Sequence, residues 1–433
     1  MTSKVLLRGG CVLTLGAKSP NHPRADVLIA DGRVAEVGPN LRARDAEAVD
    51  AADTIVMPGF VDAHRHTWRS LLRNLGTDAR GVEAAAPAPG AGATPDDLYA
   101  ATLVGLLGAV EAGITTVADW ADHRTEGGFA EAALQAHADA GLRTVYVAAR
   151  SAGDGDAPGA RGPVARLGAA AGPTTTFALG SANPDRRAAG DDVTAARELG
   201  LPVHVHADVA SAGPGAIAAL AAGGLLGSDV TLLHISAAGD ADLDAIASSG
   251  AAVALAPASD MAAGHGVPPV QEVIDHRIRP GLGVDDERLA PGDMFAQMRG
   301  LISVQHATVF DRKLMGKAGL PRLMSTRDVI RHATVDGARA AGLAGVTGSI
   351  EPGMQADVIV LRTDRPNVFP INDPIGAVVW GMDTSNVDWV FAGGRVLMRE
   401  GVLQADVGRA RALADAARER LAGDREIAMG DEG

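Results

Sequence analysis

Residues 56–70, VMPGFVDAHRHTWRS, contain an apolar run followed by two histidines one residue apart. Successive side chains of a β-strand point to opposite faces, so His64 and His66 point the same way and Arg65 points away from them. Two imidazoles on one face of a strand provide half of a metal site. The function of the chain therefore depends on whether other segments supply the remaining ligands.

The composition limits the class of protein and its partners. The chain has 433 residues, of which 47% are hydrophobic and 21% charged, as in globular proteins. Its net charge of −14 argues against nucleic acid as a partner, because nucleic-acid binding needs a clustered basic surface. The single cysteine, Cys11, excludes an intrachain disulfide and a thiolate zinc cluster. With neither a signal-peptide core nor an apolar run of membrane-spanning length, we expect a cytoplasmic protein that has no contact with a membrane.

Short apolar strands alternate with Ala-rich helical stretches through the middle of the chain. Eight such strands in sequence predict an α/β fold, the parallel (β/α)8 or TIM barrel. The predicted strands are IVMPGFVDAH, ITTVADW, RTVYVAA, TTTFALG, PVHVHAD, VTLLHIS, AAVALAP and RPGLGVDD.

Strand-rich segments at both ends of the chain predict a small composite β-sandwich. An Asp31-Gly32 hairpin signal lies in the first of them, and ADVIVLR, AVVWG and VDWVFAGGRVLMREGVL lie in the second. The predicted domains are the N-terminal part of the sandwich at 1–55, the barrel at 56–345, the C-terminal part of the sandwich at 346–405, and a final helix with its tail at 406–433.

Histidines and acids recur at the predicted carboxyl ends of the barrel strands, where barrel enzymes have their active sites. Three imidazoles and a carboxylate suit zinc or ferrous iron, and a water bound to such a metal ionises near neutral pH. The pattern predicts a metal-dependent hydrolase with a small-molecule substrate. The residues at the strand ends are His64, His66, His204, His206, Asp208, His234 and Asp285; we expect structural or surface roles for His22, His123, His137, His276, His306 and His332.

The chain resembles the amidohydrolase superfamily of metal-dependent hydrolases, and within it the branch of cytosine, guanine and adenosine-type deaminases and triazine chlorohydrolases. The resemblance implies that His64, His66, His206 and Asp285 bind the metal, and that His204 lies one layer deeper. It also implies that Asp285 accepts a proton from the water, that His234 orients the substrate, and that the protein forms a homodimer. The matching stretches are MPGFVDAHRH, AGITTVADW, VHVHAD, LLHIS, APASDMAAGHGVPPV, GLGVDD and GSIEPGMQADVIVL.

One metal is expected rather than two. Relatives with two metals usually bridge them with a carboxylated lysine at the end of the fourth strand. This chain has no lysine between Lys18 and Lys313. We therefore expect one divalent ion per chain, with Zn²⁺ preferred and Fe²⁺ as the alternative.

The chain departs from the deaminase pattern after the fifth strand. Such deaminases usually carry a proton-shuttling glutamate three residues after the strand histidine, where this chain has Val209. Asp208 lies one residue earlier and is a candidate substrate-binding residue if a bulge re-aims it. Proton transfer by a correctly placed group increases the reaction rate by about 10²–10⁴-fold. Without the glutamate, hydrolysis of an amide, a lactam or a carbon–halogen bond becomes nearly as strong a candidate as deamination. A third hypothesis is that the chain is a non-catalytic scaffold, and the complete set of metal ligands argues against it.

Several other side chains near the predicted rim have two interpretations each. Trp68 either stacks on a flat substrate ring or packs in the core. Asp260 either binds a cationic substrate or caps a turn. Arg69 and Arg73 either bind an anionic substrate or, as we expect, form salt bridges. His265 either contacts the substrate or, as we expect, lies at the surface.

The ligand assignment predicts different outcomes for two variants. His206→Ala should lose metal and activity together, because it removes one of four ligands. Val209→Glu should leave the metal content unchanged, because position 209 is not a ligand. Elemental analysis of the purified variants measures both, and full metal content in His206→Ala would contradict the assignment.

Overall fold

The computed structural model describes residues 4–73, 93–123, 127–149, 167, 172–182, 186–207 and 213–422. Two sheets organise these residues. The first is nine-stranded and contains β1 (Val5–Val12), β2 (His22–Ala30), β3 (Arg33–Gly38), β4 (Glu47–Asp50), β5 (Thr54–Pro58), β14 (Val358–Arg362), β15 (Val387–Ala392), β16 (Arg395–Arg399) and β17 (Val402–Leu403). The second is the eight-stranded barrel of β6 (Phe60–Arg65), β7 (Ile114–Ala121), β8 (Arg143–Ala149), β9 (Thr175–Ser181), β10 (Val203–His206), β11 (Val230–Leu233), β12 (Ala252–Leu255) and β13 (Gly281–Leu282).

Helices connect the barrel strands and cover them. The first helix begins with a capping box, in which Thr94 and Asp97 exchange hydrogen bonds with each other's backbone. The helices are α1 (Pro95–Glu111), α2 (Phe129–Ala140), α3 (Arg186–Leu199), α4 (Ala216–Ala222), α5 (Asp240–Ser249), α6 (Pro257–Ala262), α7 (Val270–Asp275), α8 (Met294–Leu314), α9 (Thr326–His332), α10 (Val335–Ala340), α11 (Pro374–Gly376) and α12 (Val407–Ala422). None of these helices in the described part of the chain is long and apolar enough to span a membrane.

The barrel strands pair in parallel in chain order, from β6 to β13. A parallel bridge between Arg65 and Asp285 brings the last strand back to the first. The interior is filled mainly by alanine and valine, among them Ala63, Ala118 and Val147, with Trp120 as the one aromatic side chain of this buried cluster. The predicted (β/α)8 barrel is therefore confirmed.

Both ends of the chain build the nine-stranded sheet, as predicted. β14 pairs antiparallel with β5, in a register that places Val358 opposite Pro58 and Arg362 opposite Thr54. A separate apolar cluster fills this domain and includes Val27, Val56 and Phe391. The final helix predicted after 405 is α12, and residues beyond 422 lie outside the described part of the chain.

Two predicted strands are wrong in detail. IVMPGFVDAH is not one strand, because the chain leaves the sheet as β5 and enters the barrel as β6 at Gly59, where a Cβ atom would lie 2.2 Å from Thr115 Oγ1. The predicted domain junction at 55/56 therefore falls within β5. AVVWG is helical: Asp373 caps α11, a wider helical turn at Ala377–Gly381 continues it, and Val378 and Val379 are buried. A short apolar run does not distinguish a buried strand from a buried helical turn.

A buried ion pair fixes the barrel to the β domain. Arg143 at the start of β8 donates to Asp357 through two nitrogens, at 2.7 Å and 3.2 Å. The Asp357 side chain is fully buried, and its Oδ1 also accepts the backbone N–H of Gly393 at 2.6 Å. This pair holds the β14–β15 region against the base of the barrel.

Arg143→Met should lower the free energy of unfolding by about 3–5 kcal/mol, because it leaves the Asp357 carboxylate buried without its cation. The matched control is Arg197→Met. Arg197 also donates to an aspartate, Asp229, through two nitrogens, but this pair is exposed. The control should change the free energy of unfolding by about 0.2–1 kcal/mol. Denaturant unfolding measures both, and equal losses would contradict the structural role of the buried pair.

Candidate metal centre

Three histidines from two barrel strands converge at the carboxyl-terminal rim. His64 lies on β6 and His66 directly follows it, both with their side chains almost fully buried, and His206 is the last residue of β10. One ring nitrogen from each lies within 4.8 Å of the others. The ring centres of His64 and His206 are 4.9 Å apart. The alternation of side chains continues past the end of β6, and the ring centres of His64 and His66 lie 5.1 Å apart.

Asp285 joins this cluster at the same rim, from the end of the last barrel strand. It follows β13, and its Oδ1 lies 3.2 Å from His64 Nε2 and 3.5 Å from His66 Nε2. Its Oδ2 accepts a hydrogen bond of 2.5 Å from the Ser259 hydroxyl. One oxygen of the carboxylate is therefore held by the protein, and the other faces the imidazoles.

Burial and mutual contact set the protonation of these groups. Burial lowers the pKa of the His64 imidazole well below its ordinary value, which keeps the ring neutral. Burial also acts to raise the pKa of Asp285, but His64 and the neighbouring imidazoles outweigh it and hold that pKa well below the usual range. Neutral imidazoles and an ionised carboxylate are the forms that bind metal.

The donor set fits a divalent metal ion. The Nε2 atom of His64 is buried and lies near Asp285 without the geometry of a hydrogen bond to any described residue. A buried lone pair without a donor is unfavourable unless another group satisfies it. Three imidazoles with one carboxylate are ligands of zinc and of ferrous iron. His64, His66, His206 and Asp285 are the residues that would hold such an ion.

Asp122 orients His66 from outside the cluster. It follows β7, and its Oδ1 lies 3.1 Å from His66 Nδ1 and accepts the Trp68 indole N–H at 2.6 Å. Its Oδ2 accepts from Arg69 at 2.8 Å. With its Nδ1 bound to this carboxylate, His66 keeps Nε2 for a metal, the arrangement in which an outer carboxylate fixes a metal-binding histidine.

His234 lies beside the cluster on strained backbone. It follows β11 with a φ of 69°, in the left-handed region, and a ring nitrogen lies within 4.8 Å of ligand atoms of His64 and Asp285. Its Nδ1 is 2.6 Å from Asp260 Oδ1. Asp285 shares the left-handed conformation, with a φ of 64°. Such strain in residues other than glycine clusters at functional sites.

Two buried side chains support the centre from below. The Trp120 ring centre lies 4.4 Å from that of His206. Its indole reaches Gly180, where a Cβ atom would lie 3.0 Å from the ring. His204 is buried one layer below His206, and burial lowers its pKa to about 4. The His204 imidazole is therefore neutral near pH 7.

The remaining candidates have varied positions. Trp68 is buried, donates to Asp122 and has the Arg69 guanidinium 5.3 Å above its ring, so it packs in the wall of the centre. Arg69 and Arg73 form ion pairs, with Asp122 and Asp286 and with Glu287 respectively. Residues 208 and 209 lie outside the described part of the chain, so the substrate-binding role of Asp208 stays a prediction, as does that of Trp68.

Two expectations about the segment after β12 need revision. Asp260 is fully buried against His234, which is neither the substrate contact nor the turn cap expected from its loop position. The His265 ring centre lies 6.0 Å from that of His234, although the side chain is 27% exposed. Helix α6 folds this segment back over the rim, an effect of tertiary packing.

Sequence reasoning missed Asp122, Ser259 and Trp120 as supports of the centre. A signal was present for each, because Asp122 and Trp120 lie at the end of the second barrel strand and Ser259 follows the seventh. Acids, hydroxyls and aromatic residues at a strand end are less specific signs of a metal site than histidines at the same rim.

The family comparison agrees with this geometry. The model of the amidohydrolase family matches residues 55–397. The chain belongs to that family, as predicted.

Its curated relatives include deaminases of nucleosides. A 5-methylthioadenosine/S-adenosylhomocysteine deaminase of Symbiobacterium thermophilum is 28% identical over 92% of this chain and 94% of its own length. A 5'-deoxyadenosine deaminase of Methanosarcina mazei is 26% identical over 92% of this chain and 93% of its own length.

Solved structures share the fold. An adenosine deaminase from Xanthomonas campestris with bound zinc has a TM-score of 0.80 at 20% identity, over 97% of this chain and 99% of the other. The atrazine chlorohydrolase of Arthrobacter aurescens complexed with zinc has a TM-score of 0.81 at 21% identity, over 95% and 99%. These two structures therefore share the fold of this chain, with the barrel and the β domain together.

Asp122→Ala should weaken zinc binding by about 10–100-fold, because it removes the carboxylate that orients His66. Competition with a chromophoric zinc chelator measures the dissociation constant. Asp139→Ala is the control, since Asp139 accepts a hydrogen bond from Tyr99 at the protein surface. Unchanged zinc affinity in Asp122→Ala would show that His66 needs no support from this carboxylate.

Proposed function

We propose that this chain is an aminohydrolase that uses one divalent metal ion to hydrolyse a C–N bond of a nitrogen heterocycle and release ammonia. The observation that carries the proposal is the convergence of His64, His66, His206 and Asp285 at the rim of the barrel. The deaminases among the relatives support the choice of reaction, since they match nearly the whole chain.

The residues around the centre have distinct roles in this proposal. When bound, a divalent metal acts as a Lewis acid and lowers the pKa of a water near it. Asp285 accepts the proton of the attacking water through Oδ1, because Ser259 occupies Oδ2. His234 contacts the substrate beside the metal ligands. These assignments follow from ligand chemistry and from the placement of the side chains at one rim.

We infer that the metal is zinc and that one ion is bound per chain. Two solved structures of this fold contain zinc. The absence of lysine between Lys18 and Lys313 leaves no residue for the bridging carbamate of two-metal relatives. Ferrous iron uses the same ligands and is the alternative. A homodimer and a cytoplasmic location stay predictions.

A second candidate reaction is hydrolysis of an amide, a lactam or a carbon–halogen bond by the same centre. The observation that favours it is Val209, which stands where related deaminases usually have a proton-shuttling glutamate. These reactions make less use of that proton transfer. A non-catalytic scaffold would not need the complete ligand set.

Purified protein should contain zinc in a ratio of one per chain and release ammonia from a member of a panel of adenine nucleosides, aminopyrimidines, pterins and aminotriazines. A chelator should abolish the activity and added zinc should restore it, because the metal supplies the Lewis acid. Elemental analysis and a coupled ammonia assay measure the two quantities. His276→Ala is the control and should keep both zinc and activity, since His276 is a part-buried residue at the end of α7 and is not one of the proposed ligands.

The outcomes separate the candidates. Stoichiometric zinc without ammonia from any heterocycle would contradict deamination and support the second reaction. Protein that binds no zinc after reconstitution would contradict both.

A further inference from the structure

Asp260 and His234 form a buried pair at the edge of the metal centre. Asp260 Oδ1 lies 2.6 Å from His234 Nδ1, and both side chains have at most 2% of their surface exposed. Burial acts to raise the pKa of the Asp260 carboxyl, but the adjacent His234 outweighs it and the net shift is downward. Asp260 is therefore an ionised acceptor that no substrate can reach without displacing its neighbours.

An acceptor at this distance determines which ring nitrogen of His234 has the proton. A carboxylate donates nothing, so Nδ1 must provide the hydrogen of this bond. In the neutral ring the lone pair is then on Nε2. A ring nitrogen of His234 lies within 4.8 Å of ligand atoms of His64 and Asp285. Since Nδ1 is bonded to Asp260, we infer that this nitrogen is Nε2.

The local backbone supports this orientation of the ring. His234 and Ile235 both have positive φ angles, 69° and 49°, and Ile235 is a β-branched residue that rarely adopts them. The N–H of His234 donates to the carbonyl of Ala254 on β12 at 2.9 Å. A turn of this kind persists when surrounding contacts hold it, and the bond to Asp260 is one such contact.

Helix α6 supplies two supports of the centre from adjacent residues. Ser259 bonds to Asp285, and Asp260 bonds to His234. The proton acceptor and the substrate-contacting histidine are therefore oriented by one turn of helix. This arrangement resembles the Asp122–His66 contact, in which a carboxylate also occupies Nδ1.

We propose that Asp260 is a positioning residue, which holds His234 as the Nδ1–H tautomer and presents Nε2 as a hydrogen-bond acceptor to the substrate. The substrate atom that meets His234 is then an N–H or O–H donor, such as an exocyclic amino group or a protonated ring nitrogen. This choice of substrate group depends on the proposed function, whereas the tautomer does not.

The direct test is NMR of the zinc-loaded full chain labelled with ¹⁵N-histidine. Long-range ¹H–¹⁵N correlations distinguish the two neutral tautomers and the imidazolium, and the spectrum of His234→Asn identifies the signals of His234. We expect a protonated Nδ1 and a bare Nε2. A proton on Nε2 with a bare Nδ1, or on both nitrogens, would overturn the proposal whether or not the enzyme releases ammonia.

Variants test the role of the carboxylate. Asp260→Ala should lose the fixed Nδ1–H signal and lower kcat by about 10–100-fold with stoichiometric zinc retained, the usual effect of removing a group that orients a site histidine. Asp260→Asn keeps an oxygen acceptor and should restore the tautomer and most of kcat. An unchanged His234 spectrum in Asp260→Ala would overturn the proposal, and Asp260→Asn provides the same readout if the alanine variant does not fold.

The matched control changes another buried histidine–aspartate pair. Asp336 lies 3.1 Å from His332 in the α9–α10 segment, which packs at the opposite end of β6. Asp336→Asn should leave the signals of His234 and the value of kcat unchanged. Equal effects from Asp336→Asn and Asp260→Asn would indicate a general structural disturbance, which contradicts a positioning role.

Discussion

The barrel closes at the residues that form the candidate metal centre. The backbone N–H of Asp285 donates to the carbonyl of His64, and the N–H of His66 donates to the carbonyl of Asp285, both at 2.9 Å. These two hydrogen bonds join the last strand to the first. Close approach requires Gly283, because a Cβ atom there would lie 2.7 Å from the His64 carbonyl oxygen. The hydrogen bonds that close the barrel therefore also bring the proposed metal ligands of the first and last strands together.

Bringing the histidine and aspartate side chains together at the buried rim costs free energy, which other interactions must offset. Burial opposes the charged forms of the imidazoles and the carboxylate. Left-handed backbone at His234 and Asp285 adds a further cost of about 1–3 kcal/mol each. Hydrogen bonds from outside offset part of it: Asp122 holds His66, Ser259 holds Asp285, and Asp260 holds His234. The rest of the compensation is expected from a bound metal ion.

Much of this could be predicted from the sequence. Strand–helix alternation fixed the barrel, and the parity of His64 and His66 placed both at one rim. The sequence could not show that the first apolar run breaks at Gly59, because the close approach of Thr115 to this glycine is a contact between distant segments. Nor could it show that Asp260 turns toward His234, because that orientation depends on how α6 folds back over the rim. The local sequence pattern was enough to predict the strands, the helices and the face on which a side chain lies. Contacts between segments that are distant in the chain could be seen only in the structure.

The proposed activity depends on one metal ion held by His64, His66, His206 and Asp285. The most direct measurement is anomalous diffraction at the zinc absorption edge from crystals of zinc-loaded protein. We expect a single peak at the barrel rim, about 2.0–2.2 Å from a nitrogen of each histidine and from an oxygen of Asp285. Two peaks at the rim, or a peak bound by other residues, would contradict it.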